Sequence, residues 1–121
     1  MRNAITTQIQ ASTAIDTSYG TPVAQPASLG ALYQHGGQVV LQFKRTAGTS
    51  VTFKIDEYFS ETTGWVPMVE DDGSDLTTLE RTCTNTSFSF AFTTLAEKIR
   101  VYVKGAGSES VEINLVTGEV Q

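Results

Sequence analysis

Gln38-Val39-Val40-Leu41-Gln42-Phe43-Lys44 and Val51-Thr52-Phe53-Lys54-Ile55-Asp56 decide the fold. In the first run Val39, Leu41 and Phe43 alternate with Val40, Gln42 and Lys44. In the second, Val51, Phe53 and Ile55 alternate with Thr52, Lys54 and Asp56. A period of two puts one set of side chains on a buried face and the other in water, as in a half-buried strand. Thr46-Ala47-Gly48-Thr49 lies between the runs, which predicts a β-hairpin with Phe43 opposite Val51 and Leu41 opposite Phe53. A slip of one residue would turn every apolar side chain outward, so the register is costly to change.

The same logic extends toward the C-terminus. Ile99, Val101 and Val103 alternate with Arg100, Tyr102 and Lys104. Gly105-Ala106-Gly107-Ser108-Glu109 follows as a loop, and Val111, Ile113 and Leu115 return, which predicts a second hairpin. Phe88, Phe90 and Phe92 alternate with Ser87, Ser89 and Ala91. Pro67 cannot donate to a ladder, so Trp65-Val66-Pro67-Met68-Val69 is an edge or interrupted strand. Residues 76–83 form a Thr-rich strand, and Leu95-Ala96-Glu97 is a single turn between strands. Nothing has the period of a helix. About eight short strands predict an all-β, two-sheet antiparallel β-sandwich, jelly-roll or immunoglobulin-like. Its expected core is Val39, Leu41, Phe43, Val51, Phe53, Ile55, Phe88, Phe90, Val101, Val103, Val111 and Ile113.

Toward the N-terminus the pattern fades. Residues 1–37 carry only Arg2 and Asp16 as charges, and Pro22 and Pro26 break any continuous element. Ile5, Thr7, Ile9 and Ala11 alternate with Thr6, Gln8 and Gln10, which allows a strand over residues 4–12. Two descriptions fit this segment: a peripheral strand with loops on its own domain, or an extended arm that pairs with a neighbouring subunit. The division is therefore 1–37, extended N-terminal arm or peripheral strand, and 38–121, β-sandwich domain.

Composition sets further bounds. The 121 residues hold 18 Thr and 10 Ser, while charged residues are only 17%. Thr suits the pleated strand because its Cβ is branched. Thirteen acids against eight Lys and Arg give a net charge of -5, which argues against nucleic acid as a partner. No apolar run approaches the ~18 residues of a membrane span, and behind Arg2 there is no apolar block of a signal peptide. The lone Cys83 forms no internal disulfide, and Cys83 with His35 falls short of the roughly four ligands of a structural zinc site.

The features that could carry chemistry are few. Glu70, Asp71, Asp72 and Asp75 offer hard oxygens for calcium, but their spacing suits a solvated acidic turn better. Adjacent acids in one loop do not give the fixed separation that glycoside hydrolysis needs. Cys83 and His35 lack a third partner for a nucleophilic site. Asn85-Thr86-Ser87 fits the glycosylation pattern, without a secretory context to use it. Trp65 begins an apolar stretch and is expected in the core; as a sugar platform it would need a free ring face. Tyr102 lies opposite Ile99, Val101 and Val103 on its strand, which suits a contact residue. The chain is thus expected to be non-enzymatic, with no catalytic residues, no metal and no cofactor.

Two segments carry a resemblance. Ile55-Asp56-Glu57-Tyr58-Phe59-Ser60-Glu61-Thr62-Thr63-Gly64-Trp65 resembles a strand–turn–Trp segment of small β-sandwich virion proteins of tailed bacteriophages. Lys98-Ile99-Arg100-Val101-Tyr102-Val103-Lys104-Gly105 is similar to the strand that follows it there. The turn departs from those proteins, with Glu61-Thr62-Thr63-Gly64 where an Asp-Gly pair is common. The resemblance spans residues 38–116 as a pattern. It implies a virion protein, assembled in the bacterial cytoplasm, that decorates or cements the capsid shell or serves as a neck or tail accessory. The implied partners are other virion proteins, the major capsid protein first, and further copies of itself. Galactose-binding-like sandwiches share the turn–Trp segment, so a carbohydrate-binding module with Trp65 and Tyr58 as platforms is the alternative, and a glycan the alternative partner. The candidate interface residues are Ile5, Ile9, Leu29, Tyr33, Tyr58 and Tyr102.

Overall fold

In a computed structural model, which describes residues 4–24 and 38–118, the alternating runs become strands of two packed sheets. In chain order they are β1 (Ala4–Ala14), β2 (Val23–Ala24), β3 (Gln38–Ala47), β4 (Val51–Tyr58), β5 (Trp65–Pro67) and β6 (Val69–Asp71). Then come β7 (Leu76–Thr78), β8 (Glu80–Cys83), β9 (Ser87–Thr93), β10 (Lys98–Gly105) and β11 (Ser110–Gly118). Sheet A has the order β1-β11-β3-β9, and sheet B the order β2-β10-β4-β5 with β8 also on β4. All these pairings are antiparallel, and β6 and β7 form a separate two-stranded ribbon. The all-β sandwich expected from the period-two runs is therefore the observed fold.

The predicted hairpins are corrected. β3 pairs with β11 and β9 in sheet A, while β4 pairs with β10 in sheet B. The connection between β3 and β4 is thus an arch from one sheet to the other, and so is the connection between β10 and β11. Phe43 lies opposite Ile113 and Phe88 in its sheet, not opposite Val51. It meets Phe53 across the sandwich, with ring centroids 4.7 Å apart and 28° between planes. A hairpin and an arch both turn Val39, Leu41 and Phe43 inward with Val51, Phe53 and Ile55, so alternation alone does not separate them.

The core is built from the inward positions of the four central strands. Val39, Leu41, Phe43, Val51, Phe53, Ile55, Ile99, Val101, Val111, Ile113 and Leu115 are buried. Phe88, Phe90 and Val103, expected inside, are only half-buried and pack against this cluster. For Phe88 and Phe90 the cause is position, because β9 is an edge strand.

Two further expectations change in detail. The stretch around Pro67 and the strand of residues 76–83 each break, at Met68 and Leu79, both of which are buried. Met68 N–H donates to the Ile55 carbonyl, and Leu79 N–H donates to the Met68 carbonyl. These pins hold the β6–β7 ribbon off the side of β4.

β1 lies along β11 of its own chain, with register shifts after Gln8 and Gln10. Leu29, Tyr33, His35 and Pro26 lie outside the described residues.

Both arches converge on Glu109, which is buried. Its Oε2 accepts from the N–H groups of Thr49 and Ser50, at 2.9 and 3.2 Å. Its Oε1 accepts from Gly107 and Ser108 N–H, at 2.7 and 3.0 Å. Donation from Thr49 and Gly107 leads the causes that hold the carboxyl at about 2. Gly48 and Gly105 are required here: a Cβ on either would overlap the Glu109 side chain, and Gly48 also has φ +84.

Candidate functional site

The outward positions of sheet B form the most distinctive surface of the molecule. On β10 they are Lys98, Arg100, Tyr102 and Lys104; on β4 they are Thr52, Lys54, Asp56 and Tyr58. The antiparallel register sets Lys98 opposite Tyr58, Arg100 opposite Asp56 and Tyr102 opposite Lys54. Three of the four cross-strand pairs are therefore a cation with an aromatic ring or a cation with a carboxylate, and such pairs stabilise a sheet; the fourth is Lys104 with Thr52. Trp65 joins from β5, opposite Tyr58, and Tyr19 joins from the loop after β1.

These side chains interleave. Lys98 Nζ lies 4.5 Å from the centroid of Tyr58, and the Arg100 guanidinium lies 4.3 Å from that of Trp65. Lys54 Nζ sits 4.8 Å from both Tyr19 and Tyr102, and Lys104 Nζ sits 4.6 Å from Tyr19. At these distances the cations are attracted by the negative ring faces. Arg100 Nε also donates to Asp56 Oδ2 at 3.0 Å. Among the described residues that is the ion pair of this face; Lys98 and Lys104 lie over rings, and Lys54 lies over rings with Glu80 of β8 opposite it in register. Tyr19 Oη donates to Glu80 Oε2 at 2.6 Å, and partial burial followed by that bond pushes its hydroxyl pKa up.

Tyr58 and Tyr102, named from sequence as contact residues, are thus brought to one face. Trp65 is corrected: it is half-buried on the outside of sheet B under Arg100, not in the core. Its apolar neighbours in sequence suggested a core site, but β5 is a short edge strand whose register sets Trp65 opposite the outward Tyr58, and it is Met68 that is buried. Ile9 packs against its own core. Ile5 pairs with Thr117 through the backbone, and Leu29 and Tyr33 lie outside the described residues. Sequence reasoning missed Lys54, Lys98, Arg100, Lys104 and Tyr19. The signal was present in the outward positions of residues 52–58 and 98–104, but it needs the β4–β10 pairing to be seen.

The other candidates are plainer. Asp71 Oδ1 accepts from Gly73 N–H at 2.8 Å, and Asp72 Oδ1 accepts from Ser74 and Asp75 N–H. The Ser74 and Asp75 amides hold the Asp72 carboxyl below its ordinary value. Glu70 pairs with Arg81, which lowers its pKa in the same way. The acidic loop is therefore a carboxylate-capped turn, and among the described residues no three His, Cys, Asp or Glu side chains group as metal ligands. Cys83 is half-buried beside Val51 in register. The outer face of sheet A has a shallow groove lined by Gln42, Lys44, Ser87, Ser89, Glu112 and Asn114, where Asn114 Nδ2 donates to Glu112 Oε2. Among the described residues no helix is long and apolar enough to cross a membrane.

No protein-family model matches the chain, and no curated protein does. Among solved structures, the SPBc2 prophage-derived protein YomS is similar over 98% of this chain and 96% of its own, with a TM-score of 0.54 and 13% sequence identity. At that identity the likeness is one of fold, and it extends over nearly the whole of both chains.

Proposed function

We propose that the protein is a non-enzymatic structural component of a tailed-bacteriophage virion. Its place is on the capsid shell, as a decoration or cement subunit held by contacts with the major capsid protein and with copies of itself. The observation that carries this reading is the near full-length likeness of fold to a prophage-derived protein. The resemblance of residues 55–65 and 98–105 to such virion proteins points the same way. A small sandwich repeated over a symmetric shell gains avidity from many weak contacts. The cation and aromatic face supports contact by protein more than by sugar. The Tyr58 and Trp65 rings have Lys98 and Arg100 over them, whereas a pyranose needs a bare ring.

The test is to purify particles of the source phage, identify this chain by mass spectrometry, and image the particles by electron microscopy. The expected result is many copies in density on the head. Absence from the particles would sink the virion role. Density on the neck or tail would replace the capsid position with the accessory one.

A further inference from the structure

We infer that the cation and aromatic face of sheet B is the receptor for the acidic β6–β7 ribbon of a second copy, so that copies join head to tail. This deepens the subunit-contact reading above and rests on it. The chain carries a net charge of -5, yet Lys54, Lys98, Arg100 and Lys104, four of its eight Lys and Arg, lie on one face, where they outnumber its two carboxylates, Asp56 and Glu80. The ribbon has the opposite character: Glu70, Asp71, Asp72 and Asp75 lie within six residues. The turn bonds of Asp71, Asp72 and Asp75 use Oδ1 of each, so Oδ2 meets no hydrogen-bond donor among the described residues. The same ribbon exposes two large apolar side chains, Val69 at 46% and Leu76 at 64%. Charge on the ribbon thus matches charge on the face, and its apolar pair matches the aromatic rings set between the cations.

The two surfaces differ, so the contact is heterologous and either closes into a ring or runs on as a strand of subunits. A polyanion such as nucleic acid or an acidic glycan is the weaker occupant: the net charge of -5 repels either occupant beyond the immediate face, and a polyanion brings no apolar side chains to offset this. The ribbon of a second copy carries its charge on a compact tip and brings apolar surface with it.

The test is sedimentation velocity of the full chain over a concentration series, at about 50 and about 500 mM salt. K54E/K104E removes the receptor and leaves the ribbon. D71N/D75N removes two of the ribbon's four acidic charges while the Asn oxygens still accept the turn N–H groups. Circular dichroism checks that each variant is folded, and K98Q and L76S are the second pair of variants. The wild type is expected to self-associate, and the association to weaken about tenfold or more in high salt. Each variant alone is expected to associate about tenfold more weakly, and an equimolar mixture of the two to form a 1:1 dimer, because it rebuilds one contact.

A wild type that stays monomeric at every concentration overturns the inference, as do variants that associate like the wild type or a mixture that stays monomeric. Monomers that bind polygalacturonate would overturn it in favour of an anionic glycan. A monomeric protein found on phage heads would sink this contact and leave the virion reading standing. A self-associating protein absent from the particles would do the reverse.

Discussion

Phe53 is 1% exposed and stacks on Phe43, with Phe88 and Phe90 also in ring contact at 6.2 and 5.3 Å. Truncating a buried phenylalanine to alanine costs about 3–5 kcal/mol, transfer and cavity together. A domain of this length has about 6–18 kcal/mol in all, at roughly 0.05–0.15 per residue. Phe53→Ala is therefore expected to remove a large part of the stability and still leave a folded protein at low temperature. With a urea slope near 2 kcal/mol/M, the midpoint should fall by roughly 1.5–2.5 M. The fluorescence of Trp65, the only tryptophan, reports the transition. The arch makes a sharper demand. Because Phe43 and Phe53 face each other from different sheets, a double-mutant cycle with Phe43→Ala should return a coupling of about 0.5–1.5 kcal/mol. A loss below about 1 kcal/mol for Phe53→Ala, or additivity within about 0.3 kcal/mol, would refute this packing.

Three other expectations follow from the geometry. The Glu109 carboxyl titrates at about 2 in the folded chain against an ordinary 4.5, so its contribution is fully present above pH 4.5 and is lost as pH falls toward 2. Acid titration of thermal stability should therefore show a limb in that window that flattens in Glu109→Gln; equal limbs would refute the clamp. Gly105→Ala should lower Tm by the same assay while Gly107→Ala, with open space at its Cβ, should not. Trp65 should emit between the core and fully exposed ranges and be quenched in part by iodide; a blue-shifted, unquenched emission would place it in the core instead.

How far the sequence carried depended on which question was asked. Strand positions and inward residues were legible, because alternation at Val39, Leu41, Phe43 and at Val51, Phe53, Ile55 fixes the face. Which strands lie side by side was not. Thr46-Ala47-Gly48-Thr49 and Gly105-Ala106-Gly107-Ser108-Glu109 look like hairpin loops, and the pairing of β3 with β11 and of β4 with β10 makes both of them arches, tied together by the buried carboxylate of Glu109, more than fifty residues from Thr49. The candidate site was hidden by the same error. With β4 placed beside β3, Lys54 and Tyr58 have no tie to Arg100 and Tyr102; beside β10 they form one face. The acidic loop went the other way, since its reading as a solvated turn needed only the spacing of Asp71, Asp72 and Gly73.

The two arches also govern how the chain reaches this structure. In a hairpin the first contacts form between near neighbours, and a small nucleus grows along the ladder. Here β3 waits for β11 and β4 waits for β10, so neither connection closes on its own pair. Glu109 cannot bind Thr49 and Ser50 until the last third of the chain has arrived. A β-sandwich ruled by such distant contacts folds in milliseconds to seconds, not microseconds. During synthesis, the strands up to β9 must stay out of trouble with their apolar faces uncovered until β10 and β11 emerge. β10 and β11 take central places, one in each sheet, and their arrival joins the halves in one step.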